Sequence, residues 1–213
     1  MSRYAVSLTF SDSTAEAAAA LSEAMQPYCI PNSPVLGHEK RGEPVPHLSL
    51  IHVDLEHEDQ LAAVRKAFGD ILGEFRARFP AGLELELCSV QPARPGNSWL
   101  FWLANRTPSL LALHEAAVRT LDPIRNGRKV EMQTGKMDPV QAEMYRTWGY
   151  PHVMKAFQPH LTLGVLTKRN ADDSGLVKRI SRKSRHKAAD VSLSLGEVGE
   201  FGAHTKTLFS LPL

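Results

Sequence analysis

The chain is 213 residues long, with 43% hydrophobic residues, 23% charged residues and a formal net charge of +2. These proportions exclude a chain too polar to fold, and this length buries a core without metal or disulfide staples. Cys29 and Cys88 form neither a spaced framework nor a CxxC pair, no apolar run reaches membrane-spanning length, and residues 1–8 do not read as a secretory signal. The expectation is a soluble, cytoplasmic, monomeric protein with no membrane partner.

In chain order, Tyr4–Phe10 alternates apolar with polar residues and predicts a strand. Ser13 with Glu16 reads as a capping box for an alanine-rich helix that stops at Pro27. Residues 30–46 hold four prolines and two glycines and predict a loop. A strand follows over 47–55. Leu61, Val64, Phe68, Ile71, Leu72, Phe75 and Phe79 recur at helical spacing, which predicts a helix over 58–79. Leu83–Leu87 alternates strictly and predicts a strand, followed by a turn and a further strand over 99–103. On that strand Trp99 and Phe101 share one face and Leu100 and Trp102 the other; the pattern leaves open which face is core.

Thr107-Pro108 opens a helix that runs through Leu121. Residues 123–137 predict a loop, and Asp138-Pro139 starts a short helix ended by Gly149 and Pro151. Beyond it the patterns predict a strand over 159–166, a basic helix over 173–184, and strands over 191–195 and 207–211. Residues 168–187 carry eight Lys/Arg against two Asp, a charge that reads as a solvated face or as a guide for an anionic partner.

The element order repeats. The strand opening at His47 is followed by helix, strand, strand, and so is the strand opening at His160. This predicts an α+β, bilobal, pseudo-twofold duplicated fold over residues 1–213. Two small antiparallel sheets would face a central cleft, with helices packed outside.

The sharpest signal is a repeated pentapeptide. Pro46-His47-Leu48-Ser49-Leu50 and Pro159-His160-Leu161-Thr162-Leu163 differ only by Ser for Thr. On a strand, side chains at i and i+2 share a face, so His47 stands beside Ser49 and His160 beside Thr162. The intervening leucines point the other way, toward the helices. Two imidazoles and two hydroxyls converging on one cleft suit a phosphodiester. The hydroxyls can donate to the non-bridging oxygens, while one imidazole takes a proton and the other gives one. Histidine titrates near neutrality, so both forms are accessible, and this chemistry calls for no metal or other cofactor.

Paired H-x-[S/T]-x motifs on such a duplicated chain resemble the 2H phosphoesterase superfamily, which includes bacterial 2′-5′ RNA ligase-like proteins and cyclic nucleotide phosphodiesterases. The resemblance implies a bilobal fold with a central cleft and metal-free action on 2′,3′-cyclic or 2′-5′ phosphodiesters. The partner is then a nucleotide, an RNA end or a small cyclic phosphate. It assigns catalysis to His47 and His160 and phosphate contacts to Ser49 and Thr162. The run Arg146-Thr147-Trp148-Gly149-Tyr150-Pro151-His152-Val153-Met154 is similar to a branch of that superfamily associated with phosphonate metabolism, which implies a sugar cyclic phosphate as an alternative. The chain reads Gly164-Val165-Leu166-Thr167-Lys168 where several RNA ligase-like members carry an arginine.

Tyr150, close to the second motif, is the candidate substrate contact. By strand parity His52 should face away from the cleft, and His114 and His186 read as surface residues. His57 adds no clear metal set. Arg128, Lys129 and Lys136 read as solvated loop residues or as grips on a phosphate.

Overall fold

The computed structural model describes residues 2–11, 13–55, 58–93, 98–125, 127, 129–130, 137–181 and 184–213. Its strands are β1 (Ser2–Phe10), β2 (His47–Leu55), β3 (Glu86–Pro92), β4 (Trp99–Ala104), β5 (His160–Val165), β6 (His186–Lys187), β7 (Val191–Val198) and β8 (His204–Pro212). The helices are α1 (Ser13–Met25), α2 (Glu58–Arg78), α3 (Pro108–Leu121), α4 (Pro139–Trp148), α5 (Lys168–Ala171) and α6 (Ser174–Ser181). The α4 boundaries follow from local chemistry. Asp138 and Gln141 form a capping box, and Gly149 ends the helix at φ 62°, a conformation costly for any residue with a Cβ.

The antiparallel α+β arrangement with outer helices is present, but the expected pair of sheets is one. Eight strands run in the order β6-β3-β4-β5-β2-β1-β7-β8. Two four-stranded halves meet where β5 lies beside β2, and their register contains the single pair Leu48↔Leu161. These leucines each follow the histidine of a motif, so a pseudo-twofold axis passes between the two motifs. The axis relates β1–α1–β2 to β4–α3–β5.

The units expected from element order straddle the halves. After β2 and α2 the chain crosses over, so β3 pairs with β4. After β5, α5 and α6 it crosses back, so β7 pairs with β1. The helices cross as well: α1 packs on β5 and α3 packs on β2. The strands of one half, β3 to β6, therefore come from the middle of the chain, and those of the other, β1, β2, β7 and β8, from its two ends, while α1 and α3 each pack across onto the opposite half.

Three other expectations change. The strand expected at Leu83 starts at Glu86, the basic helix is α6 with the short α5 added ahead of it, and the two-residue strand β6 is added at the sheet edge. Leu85 is buried without being paired as a strand residue, which is why the alternation extends beyond the ladder. The core holds Leu48, Leu50, Leu161 and Leu163, all fully buried, with Phe68, Ile71, Leu110 and Leu113 from α2 and α3. Leu100 and Trp102 are buried and Trp99 and Phe101 half-buried, which settles the face of β4. No helix among the described residues is long and apolar enough to cross a membrane.

Candidate active site

Each motif strand carries a β-bulge at the same place. In the β1–β2 ladder Val6 pairs with Ile51 and Ser7 with Ser49, so Leu50 is passed over. In the β4–β5 ladder Leu100 pairs with Gly164 and Phe101 with Thr162, so Leu163 is passed over. A bulge inserts one residue and resets the alternation. His52 therefore turns to the same face as Ser49, against the parity expectation, and its Nε2 lies 3.1 Å from Ser49 Oγ.

His47, Ser49, His160 and Thr162 line one pocket, with His52, Tyr150, His152, Phe157, Gln158, Phe201 and Gly202. Its empty space, open solvent at the mouth included, is about 480 Å³. Every site residue expected from the sequence meets there. His52, His152, Phe157, Gln158, Phe201 and Gly202 were not expected. His152 could have been found from its place in the run around Tyr150. Phe201 and Gly202 carry no local signal; they reach the pocket on a turn with both residues at positive φ.

The two imidazoles are held alike. Nδ1 of His47 lies 2.9 Å from the Val45 carbonyl, and Nδ1 of His160 lies 2.7 Å from the Gln158 carbonyl. In each case the acceptor is two residues upstream. A carbonyl can only accept, so Nδ1 is protonated in both rings and Nε2 is left for chemistry. Their surroundings differ. His47 is 7% exposed and has the ring of His204 behind it, with centroids 5.4 Å apart. His160 is half-buried and stacks on Phe101 at 3.7 Å.

Burial pushes His160 down to about 4, against the carbonyl of Gln158, with His152 and His47 adding to the decrease. Burial also lowers His47, while the carbonyls of Val45 and Gly202 favour its cation. His52 falls to about 3 through burial first, then the charges of His47, Arg3, His152 and His160. Tyr150 stacks flat on His52 at 4.9 Å, and burial raises its phenol. Nδ1 of His152 meets the amide of Gln141 at 3.3 Å.

Of the two histidines read as surface residues, one lies in the core and the other is partly exposed. His114 is fully buried and bonded at both nitrogens. His186 is half-buried, with Nε2 3.0 Å from Thr14 Oγ1. Lys129 is exposed and lies over the Tyr145 ring. His57, Arg128 and Lys136 fall outside the described residues. Among the described residues, no three His, Cys, Asp or Glu side chains are grouped to hold a metal ion.

The fold is shared with solved structures of low sequence identity. TT0787 of Thermus thermophilus superposes with a TM-score of 0.53 at 16% identity, over 99% of this chain and 97% of that one. E. coli LigT complexed with NADP+ gives a TM-score of 0.48 at 13% identity, over 100% of this chain and 97% of that one. A crystal structure described as a phosphoesterase gives 0.45 at 15% identity, over 100% and 99%. The chain belongs to the family described as "Protein of unknown function (DUF1045)", whose model matches residues 55–206. That match takes in His160 and Thr162 and begins after His47 and Ser49. No curated protein matches the chain.

Proposed function

We propose that the protein is a metal-independent phosphodiesterase that opens a 2′,3′-cyclic phosphodiester to a 2′-phosphomonoester by two-histidine acid–base catalysis. One observation carries the reading: two imidazoles related by the pseudo-twofold, each with Nδ1 bonded to a main-chain carbonyl, share a pocket with a Ser and a Thr hydroxyl. Fixed tautomers leave one reactive nitrogen per ring, on opposite halves of the sheet, as an in-line displacement requires.

The roles are assigned by access. His160 is the more open ring and meets the attacking water, so it is the base, and burial favours its neutral form. His47, nearly enclosed, is then the acid; burial lowers it as well, against the carbonyls of Val45 and Gly202. Nε2 of His160 takes a proton from water as its oxygen bonds to phosphorus. The P–O3′ bond breaks, and Nε2–H of His47 protonates the departing 3′-oxygen. The hydroxyls of Ser49 and Thr162 donate to the non-bridging oxygens, where charge concentrates in the transition state. Tyr150 contacts the sugar.

A cyclic phosphate on a small sugar is the second reading. Tyr150 and His152, from the run that resembles the phosphonate-associated branch, form part of the wall of a small pocket. The test is phosphorus NMR of EDTA-treated protein with 2′,3′-cyclic nucleotides, a 2′,3′-cyclic-ended oligonucleotide and a sugar cyclic phosphate, with His160→Ala beside it. The expected outcome is a 2′-phosphate from wild type alone. Turnover of the sugar substrate alone would move the assignment to the second reading, and no turnover of any would overturn both.

A further inference from the structure

A bulged residue leaves the ladder, so its buried carbonyl needs another partner. At Leu163 the partner is Ser22 of α1, whose hydroxyl donates to Leu163 O at 2.8 Å. At Leu50 it is His114 of α3, whose Nδ1 lies 3.0 Å from Leu50 O. The two carbonyls are equivalent under the pseudo-twofold, because each belongs to the third residue after a motif histidine. In both cases the helix comes from the opposite half of the sheet.

The second bond of each side chain repeats the pattern. Ser22 Oγ accepts the Leu36 N–H at 3.1 Å, in the loop that leads into β2. His114 Nε2 accepts the Met154 N–H at 2.8 Å, in the segment that leads into β5. Each anchor thus ties one half's bulge to the loop that delivers the other half's motif. His114 also lies flat on Phe157, with ring centroids 3.7 Å apart and planes 1° apart. Phe157 and Gln158 line the pocket, and the Gln158 carbonyl fixes His160. Met154 sits at φ 52°, a strained turn that its hydrogen bond helps to hold.

We infer that Ser22 and His114 are equivalent crossed anchors, positioning residues that hold the two motif strands and their loops in catalytic register. Both are fully buried and neither lines the pocket. Their part is to set the bulges that aim Ser49, His52 and Thr162 and, through His114, the carbonyl that orients His160. The inference rests on the phosphodiesterase reading for its kinetic arm alone, because imidazole tautomers can be read in the free protein.

The test uses Ser22→Ala, His114→Phe and His114→Gln in the full chain. His114→Phe keeps a ring against Phe157 and removes both hydrogen bonds; His114→Gln keeps one donor and one acceptor. Imidazole nitrogen NMR without substrate should show His160 protonated at Nδ1 in wild type and His114→Gln, and mixed tautomers in His114→Phe. Ser22→Ala should disturb the His160 resonances in the same sense but less. On the cyclic phosphate that wild type turns over, kcat should fall about 100-fold in His114→Phe and about 10-fold in Ser22→Ala, the scale set by sub-ångström to ångström misplacement, with KM little changed. His114→Gln should recover most of the loss. Unchanged His160 resonances in Ser22→Ala and His114→Phe would overturn the inference even if no substrate were found. If His114→Phe does not fold, Ser22→Ala decides alone, and unchanged resonances there have the same force.

Discussion

The two motif strands have nearly the same sequence and different chemical settings. His47 lies almost buried, with His204 behind it, and burial lowers its pKa against the pull of two main-chain carbonyls. His160 is half-exposed, leans on the Phe101 ring and has one such carbonyl. The difference extends to the neighbouring strands. Phe101 pairs with Thr162 on β5, whereas the matching partner of Ser49 on β1 is Ser7. Ser7 is fully buried, and its hydroxyl has no hydrogen-bond partner among the described residues. A duplicated scaffold has thus kept its backbone symmetry, bulge for bulge, while the side chains behind the two rings have diverged. Acid and base need opposite protonation states, and a symmetric pair of pockets would give both rings the same one.

Alanine in place of each histidine breaks the comparison most severely. His47→Ala and His160→Ala should each lower kcat by about 10³- to 10⁴-fold, the upper part of the range for loss of a general acid or base. Steady-state turnover of the cyclic phosphate checks this. A variant with wild-type turnover would remove its histidine from the mechanism. The two losses should not multiply in the double variant, since acid and base act in one step.

The hydroxyls come next. Ser49→Ala and Thr162→Val should each lower kcat by about 10- to 1000-fold, because each removes one donor to the phosphate. Ser49 should show the smaller loss in substrate affinity, because its hydroxyl is already within reach of His52 Nε2 in the free protein. Equal effects on KM would mean that His52 does not compete for that hydroxyl.

The motif histidines, their neighbouring hydroxyls and most elements were legible because they depend on local pattern: period, prolines and the repeated pentapeptide. Sequence could not show the crossing of the halves, since element order does not say which strands will pair. It also hid the bulges. Both bulged residues are ordinary buried leucines, and only Leu163 has a glycine beside it, Gly164; nothing marks the bulge at Leu50, so parity placed His52 on the wrong face. His114 is a different case, because the signal was present. It falls on the apolar stripe of α3 with Leu110, Ala117 and Leu121, at three- and four-residue spacing, and a polar side chain there must be bonded when buried.

The mildest change sharpens the contrast between the two rings. Phe101→Leu removes the stacked ring that helps to bury His160, the main cause of its lowered pKa. Water then reaches the imidazole, the cation becomes less costly, and the pKa rises from about 4 toward the ordinary histidine value of 6.5. A base must be neutral to act, so the acid limb of kcat/KM should move to higher pH by about one unit. Activity near pH 7 should change by no more than about 3-fold, because His160 stays largely neutral there. The basic limb, which falls as His47 loses its proton, should stay below the ordinary histidine value, with both limbs belonging to the coupled pair. A proton NMR titration of the His160 ring checks the assignment directly. Movement of the basic limb instead of the acid limb would reverse the roles of the two histidines.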